Sequence, residues 1–62
     1  MEIKELRLKE ITELNQLLKD NRKKLDDLRF KIKQGQLKNI REIRLVKKDI
    51  AKILTVIREK NK

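Results

Sequence analysis

Gly35 is the only glycine in the 62-residue sequence, there is no proline, and on each side runs a long segment whose apolar residues recur at helical spacing. A chain of this kind has one natural place to turn. Glycine tolerates the left-handed backbone that ends many helices, so the flanking segments are expected to fold back on each other as an antiparallel helical pair.

From Ile11 the apolar positions are Ile11, Leu14, Leu18, Leu25, Leu28 and Ile32, with Asn21 in the one vacant place. After the glycine the same pattern returns at Ile43, Val46, Ile50, Ile53 and Ile57. Steps of three and four define a heptad seam on each segment. Charges beside the seams set the register. Pairing Lys31 with Glu42, Lys24 with Asp49 and Leu17 with Val56 lines one edge and puts the fold axis between Gln36 and Leu37. In that register Asn21 faces Ile50, as a polar seam residue that helps fix the alignment.

Near the open end the apolar face of the last segment widens, with Ala51, Leu54 and Val56 joining the seam. Ile3, Leu6 and Leu17 are the residues available to cover it. The reading is therefore all-α: an antiparallel two-helix coiled-coil hairpin with a short N-terminal helix packed at the open end. It is a single domain over 1–62, with a short helix at about 2–8, a long helix at about 11–34, a hinge at about 35–38 and a second long helix at about 39–60. So small a domain buries little surface and is expected to be marginally stable alone. Phe30 and Leu45 fall off the seam and are expected to be exposed.

Composition narrows the function. Cysteine and histidine are absent, which removes disulfides, the usual general base and the usual zinc ligands, so no enzyme, metal site, cofactor or small-molecule substrate is expected. Nineteen Lys and Arg against ten Asp and Glu give a net charge of +9, which calls for a polyanionic partner. Apolar runs are too short for a transmembrane helix, and Glu2 and Glu5 argue against a secretory signal, so a cytoplasmic location is expected. A membrane-surface helix would show a broader, aromatic-rich apolar face than this narrow seam.

The cations have a pattern of their own. Arg41, Arg44, Lys48, Lys52, Thr55 and Arg58 follow steps of three and four, forming a stripe on the outward face of the last helix. On the hairpin edge opposite the Lys/acid pairs, the register brings Arg22 beside Lys47, with Arg29 one heptad along. Like charges held together disfavour folding in isolation and become favourable with a phosphate between them. Only one aromatic residue is present, so the expected chemistry is phosphate and ribose contact rather than base stacking. Gln36 and Asn39 at the hinge either donate to RNA or satisfy turn and helix-end backbone groups.

Leu28-Arg29-Phe30, Gly35-Gln36-Leu37, Asn39, Ile43-Arg44, and Val46-Lys47-Lys48-Asp49-Ile50-Ala51-Lys52-Ile53 through Thr55-Val56 stand in one family's order and spacing. In these residues the chain resembles the bacterial-type large-subunit ribosomal protein twenty-nine family. Lys4-Glu5-Leu6-Arg7 and Glu13-Leu14-Asn15 match more weakly. The resemblance implies a structural constituent of the large ribosomal subunit, bound to large-subunit rRNA near the nascent-chain exit tunnel. It also implies ribosomal protein twenty-three as a neighbour and transient contact with nascent-chain chaperones or targeting factors. The matched positions implied as RNA contacts are Arg29, Gln36, Asn39, Arg44, Lys47, Lys48, Lys52 and Thr55, whereas Arg22, Arg41 and Arg58 rest on the stripe and edge alone. The sequence departs from the family's commoner pattern at Glu10, where a small hydroxyl residue usually caps the helix, at Asp26 and at Lys33-Gln34. A second class stays open: an oligomerising coiled-coil adaptor without specific RNA binding.

Overall fold

The computed structural model describes residues 2–61. It is built of three helices, α1 (Ile3–Arg7), α2 (Ile11–Lys33) and α3 (Ile40–Lys60), with a 3-10 turn at Leu37–Asn39 leading into the last. The two long helices pack along each other, and α1 lies against α3. The molecule measures 42 × 17 × 15 Å, with a radius of gyration of 13.0 Å. A compact chain of this length would have a radius nearer 11 Å. The hairpin is a rod, and a rod has little interior.

Its turn is made by the glycine. Gly35 has φ +92, in the left-handed region. The Gly35 N–H donates to the Ile32 carbonyl at 2.9 Å and the Gln36 N–H to the Lys31 carbonyl at 3.1 Å. These are the two bonds of a Schellman ending, which satisfies the last carbonyls of α2 and reverses the chain. Nothing lies within 4 Å of where a Cβ would stand on Gly35. Backbone conformation, and not crowding, therefore calls for glycine here.

At the other end of α2 the cap is weak. Glu10 takes the N-cap position with extended backbone, but its side chain makes no capping hydrogen bond. Stability at that end comes from packing. Leu6, Leu14, Ile53 and Val56 are fully buried, with Ile3, Leu17, Leu18 and Ile57 partly buried around them. Each of the three helices contributes to this cluster, so residues there are covered from two sides. Towards the hinge only α2 and α3 meet, and Leu28 and Val46 are the buried pair. The remaining seam residues Ile11, Leu25, Ile32, Ile43 and Ile50 are only half-buried.

Val56, expected on the widened apolar face that the first helix covers, is fully buried there with Leu6 of α1. Ala51, assigned to the widened apolar face, is exposed. Asn21 also resolves its polar seam position locally, since its Nδ2 donates to the Leu17 carbonyl at 2.8 Å, one turn back in the same helix. The amide is satisfied without a partner on α3.

Leu8, at the C-terminal cap of α1, is 87% exposed. Phe30 and Leu45 are exposed at 61% and 57%, as their positions off the seam imply.

Candidate nucleic-acid interface

Among the described residues no group of three or more His, Cys, Asp or Glu is placed to hold a metal, and no helix is long and apolar enough to cross a membrane. The concentrated chemistry is cationic, and α3 carries most of it. Val46, Ile53 and Val56 point this helix inward. At about 100° per residue, Arg41, Arg44, Lys47, Lys48, Lys52, Thr55 and Arg58 then span an arc of about 140° on the side turned away from the core. All seven are exposed.

Acids are almost excluded from that arc. Glu42 and Asp49 sit on the flank nearer the core, which leaves Glu59 as the one carboxylate of α3 within the basic arc. It is neutralised from outside the helix. Arg7 Nε donates to Glu59 Oε2 at 3.0 Å and Arg7 Nη2 to Glu59 Oε1 at 3.1 Å. This fork-to-fork geometry is the strong form of a charged hydrogen bond. Hydrogen bonding to Glu59, followed by its charge, raises the Arg7 guanidinium above its already high ordinary pKa, with a smaller opposing effect of burial. The pair sets a positive charge from α1 against the carboxylate that interrupts the cationic face.

Thr55 does not offer a free hydroxyl proton to that face. Its Oγ1 donates to the Ala51 carbonyl at 2.9 Å, so its oxygen remains available as an acceptor. On α2, Arg22 and Arg29 are exposed and seven residues apart, on the opposite side of the seam from Leu17. Since Leu17 packs into the cluster closed by α1, these arginines lie along the uncovered edge of the hairpin with Lys47 of α3. The basic surface is therefore continuous in arrangement, running from this edge onto the outward face of α3.

The hinge amides are a different matter. Asn39 is buried at 9% exposure and its Nδ2 donates to Gln36 Oε1 at 3.4 Å, while its backbone N–H donates to the Gln36 carbonyl at 3.2 Å. Of the two readings open for this pair, the observed bonds are those of a structured turn. Gln36 is exposed, whereas Asn39 is turned inward and away from the other expected contacts. Arg7 was not among the expected contacts. Its partner is 52 positions away, and no periodicity links a five-residue helix to the end of α3.

An elongated, basic helical hairpin with an exposed cationic helix face and no metal-binding cluster among the described residues defines a small structural protein. The family model of the ribosomal L29 protein matches residues 4–60, and the chain belongs to that family. It is thus a ribosomal protein with a structural, non-enzymatic role. The chain is 48% identical over 60 residues to the large ribosomal subunit protein uL29 of Petrotoga mobilis, covering 97% of this chain and 91% of the relative. It is 47% identical to uL29 of Thermodesulfovibrio yellowstonii, covering 97% of this chain and 83% of that one. With uL29 of Mycoplasmopsis pulmonis it shares 39% over 62 residues, 100% of this chain and 95% of the relative. No solved structure matches.

Proposed function

We propose that this structural constituent of the large ribosomal subunit binds large-subunit rRNA through phosphate and ribose contacts made by the outward face of α3 and the Arg22, Arg29 and Lys47 edge. The observation that carries the reading is the basic arc of α3, whose one carboxylate, Glu59, is held by Arg7. Backbone contacts of this kind position a protein without reading base sequence. Selectivity then comes from shape, since a stiff helix pair presents its cations at fixed spacing to one groove geometry and not to others. Arg41, Arg44, Lys47, Lys48, Lys52 and Arg58 supply charge, Thr55 an acceptor, and Arg22 and Arg29 extend the contact over the edge. Gln36, exposed at the hinge, donates from its side-chain amide, and Asn39 supports the turn beneath it.

The family resemblance supports a site near the nascent-chain exit tunnel beside ribosomal protein twenty-three, with chaperones or targeting factors as transient visitors. Exposed Phe30 and Leu45 are available for such protein contacts.

Binding to fragments of large-subunit rRNA, compared with an unrelated structured RNA of equal length between about 50 and 200 mM salt, tests the proposal. Six phosphate contacts weaken binding about a thousandfold over that range. Retention of one rRNA fragment at the upper salt, with the control lost, is the expected result. Parallel loss of both RNAs would reduce the charge to a generic attraction and favour the coiled-coil adaptor.

A further inference from the structure

Thr55 stands apart on the outward face of α3, because every other contact expected there is a cation. Its hydroxyl proton is already committed. Oγ1 lies 2.9 Å from the Ala51 carbonyl, and a carbonyl only accepts, so the threonine is the donor of that bond. What Thr55 still offers on the exposed surface is oxygen lone pairs. Ala51, one turn earlier and about 40° round the helix, is exposed as well, so two short side chains adjoin. Lys48 precedes Ala51 and Arg58 follows Thr55, each exposed and about 4.5 Å further along the axis. The cationic row has a low place, and the one oxygen of the row stands in it.

We propose that Thr55 accepts a hydrogen bond from a ribose 2′-hydroxyl of the bound RNA, which makes it the residue of this face that distinguishes RNA from DNA. The inference rests on the RNA-binding reading above and names the chemistry of one contact within it. Along an RNA backbone the phosphate and sugar-ring oxygens only accept, and the 2′-hydroxyl alone donates. A phosphate has nothing to give an oxygen that presents only lone pairs, whereas a 2′-hydroxyl does. The neighbouring cations make no such distinction. Ammonium and guanidinium groups only donate, and they grip phosphates, which RNA and DNA share. Size agrees with the chemistry. An oxygen on Cβ stays close to the helix, so the sugar has to approach closely, and the small side chain of Ala51 beside it leaves room. The longer Lys48 and Arg58 side chains flank that sugar and take the phosphates on either side. A DNA strand in the same place leaves the Thr55 oxygen without a partner.

The test uses the full chain and the rRNA fragment it prefers, carrying sparse 2′-deoxynucleotides at random positions. Sorting bound from free RNA maps the positions at which a missing hydroxyl weakens binding. With the unaltered protein, one such position should cost about two- to tenfold, the range of a neutral hydrogen bond. Thr55→Val keeps the shape of the side chain and removes its oxygen. It should weaken binding to the all-ribose fragment by the same factor, erase that one position from the map and leave the salt slope unchanged, since no charge is lost. Thr55→Ser keeps the oxygen and should keep both affinity and map. Thr55→Ala, a good helix former, removes the oxygen by a second route, and circular dichroism separates a lost contact from a lost fold. A map that is the same for Thr55→Val as for the unaltered protein overturns the contact, as does full affinity of that variant. A loss linked to a phosphorothioate position instead of a 2′-deoxy position would mean that the hydroxyl turns to a phosphate, which also overturns it. In each of these cases the RNA-binding reading survives. If the unaltered protein shows no preference for the rRNA fragment, both readings fall together.

Discussion

Arg7 and Glu59, near the two ends of the chain, are joined by paired hydrogen bonds of 3.0 and 3.1 Å between one guanidinium and one carboxylate. The pair is exposed, with 53% and 42% of the two side chains open to solvent, so its contribution to stability is screened by water and salt. Its larger consequence is electrostatic. It removes a negative charge from the helix face that carries the cations.

Arg7→Ala should therefore weaken RNA binding by more than the loss of a remote positive charge, because it also takes from Glu59 the guanidinium that compensates its charge. Adding Glu59→Gln to the Arg7→Ala protein should restore much of the affinity. Filter binding of the single and double variants at 0.1 M salt checks this. Equal affinities of the two variants would show that Glu59 does not face the RNA.

Replacing Gly35 tests the turn. At φ +92 an L side chain is strained by about 1 to 2 kcal/mol, although the space around it is open. Gly35→Ala should lower the urea midpoint accordingly. Gly35→Asn should cost less, since asparagine visits the left-handed region more readily. A neutral Gly35→Ala would mean that the turn relaxes to another geometry.

Core substitutions should divide by distance from the hinge. Leu14→Ala and Ile53→Ala empty positions with no solvent exposure, and each should cost about 2 to 5 kcal/mol. Much of the fold of so small a domain would be lost. Leu25→Ala, at a half-buried seam position, should cost distinctly less. Thermal unfolding followed by circular dichroism ranks them. Equal losses would indicate a uniform coiled coil rather than a core concentrated at the open end.

Arg44→Gln and Lys48→Gln, in the middle of the exposed arc, should each reduce the salt slope of RNA binding by about 0.7 to 0.9 and leave stability unchanged. Asn39→Ala should do the opposite. It removes a buried amide that bonds Gln36, destabilising the turn by about 1 kcal/mol without changing the slope. A changed slope for Asn39→Ala would return that residue to the interface.

The helices, the place of the turn and the outward stripe were legible in the sequence, because each depends on local rules. Heptad spacing points Leu14, Leu28, Val46 and Ile53 inward whatever else the chain does, and a lone glycine between two such repeats marks where it reverses. The cationic arc follows from the same period. Local rules do not say how a face is covered. The widened apolar face read from the sequence held both Val56 and Ala51, whereas the packed α1 buries Val56 and leaves Ala51 in solvent. Asn39 likewise had two open readings until its partner, Gln36, was in place, and the bond of Asn21 to the Leu17 carbonyl is not implied by its seam position. The pairing of Arg7 with Glu59 depends on a five-residue helix crossing to the far end of the chain. Such a helix is too short to be held by its own hydrogen bonds, so its position is decided only when the long pair offers it an apolar face to cover.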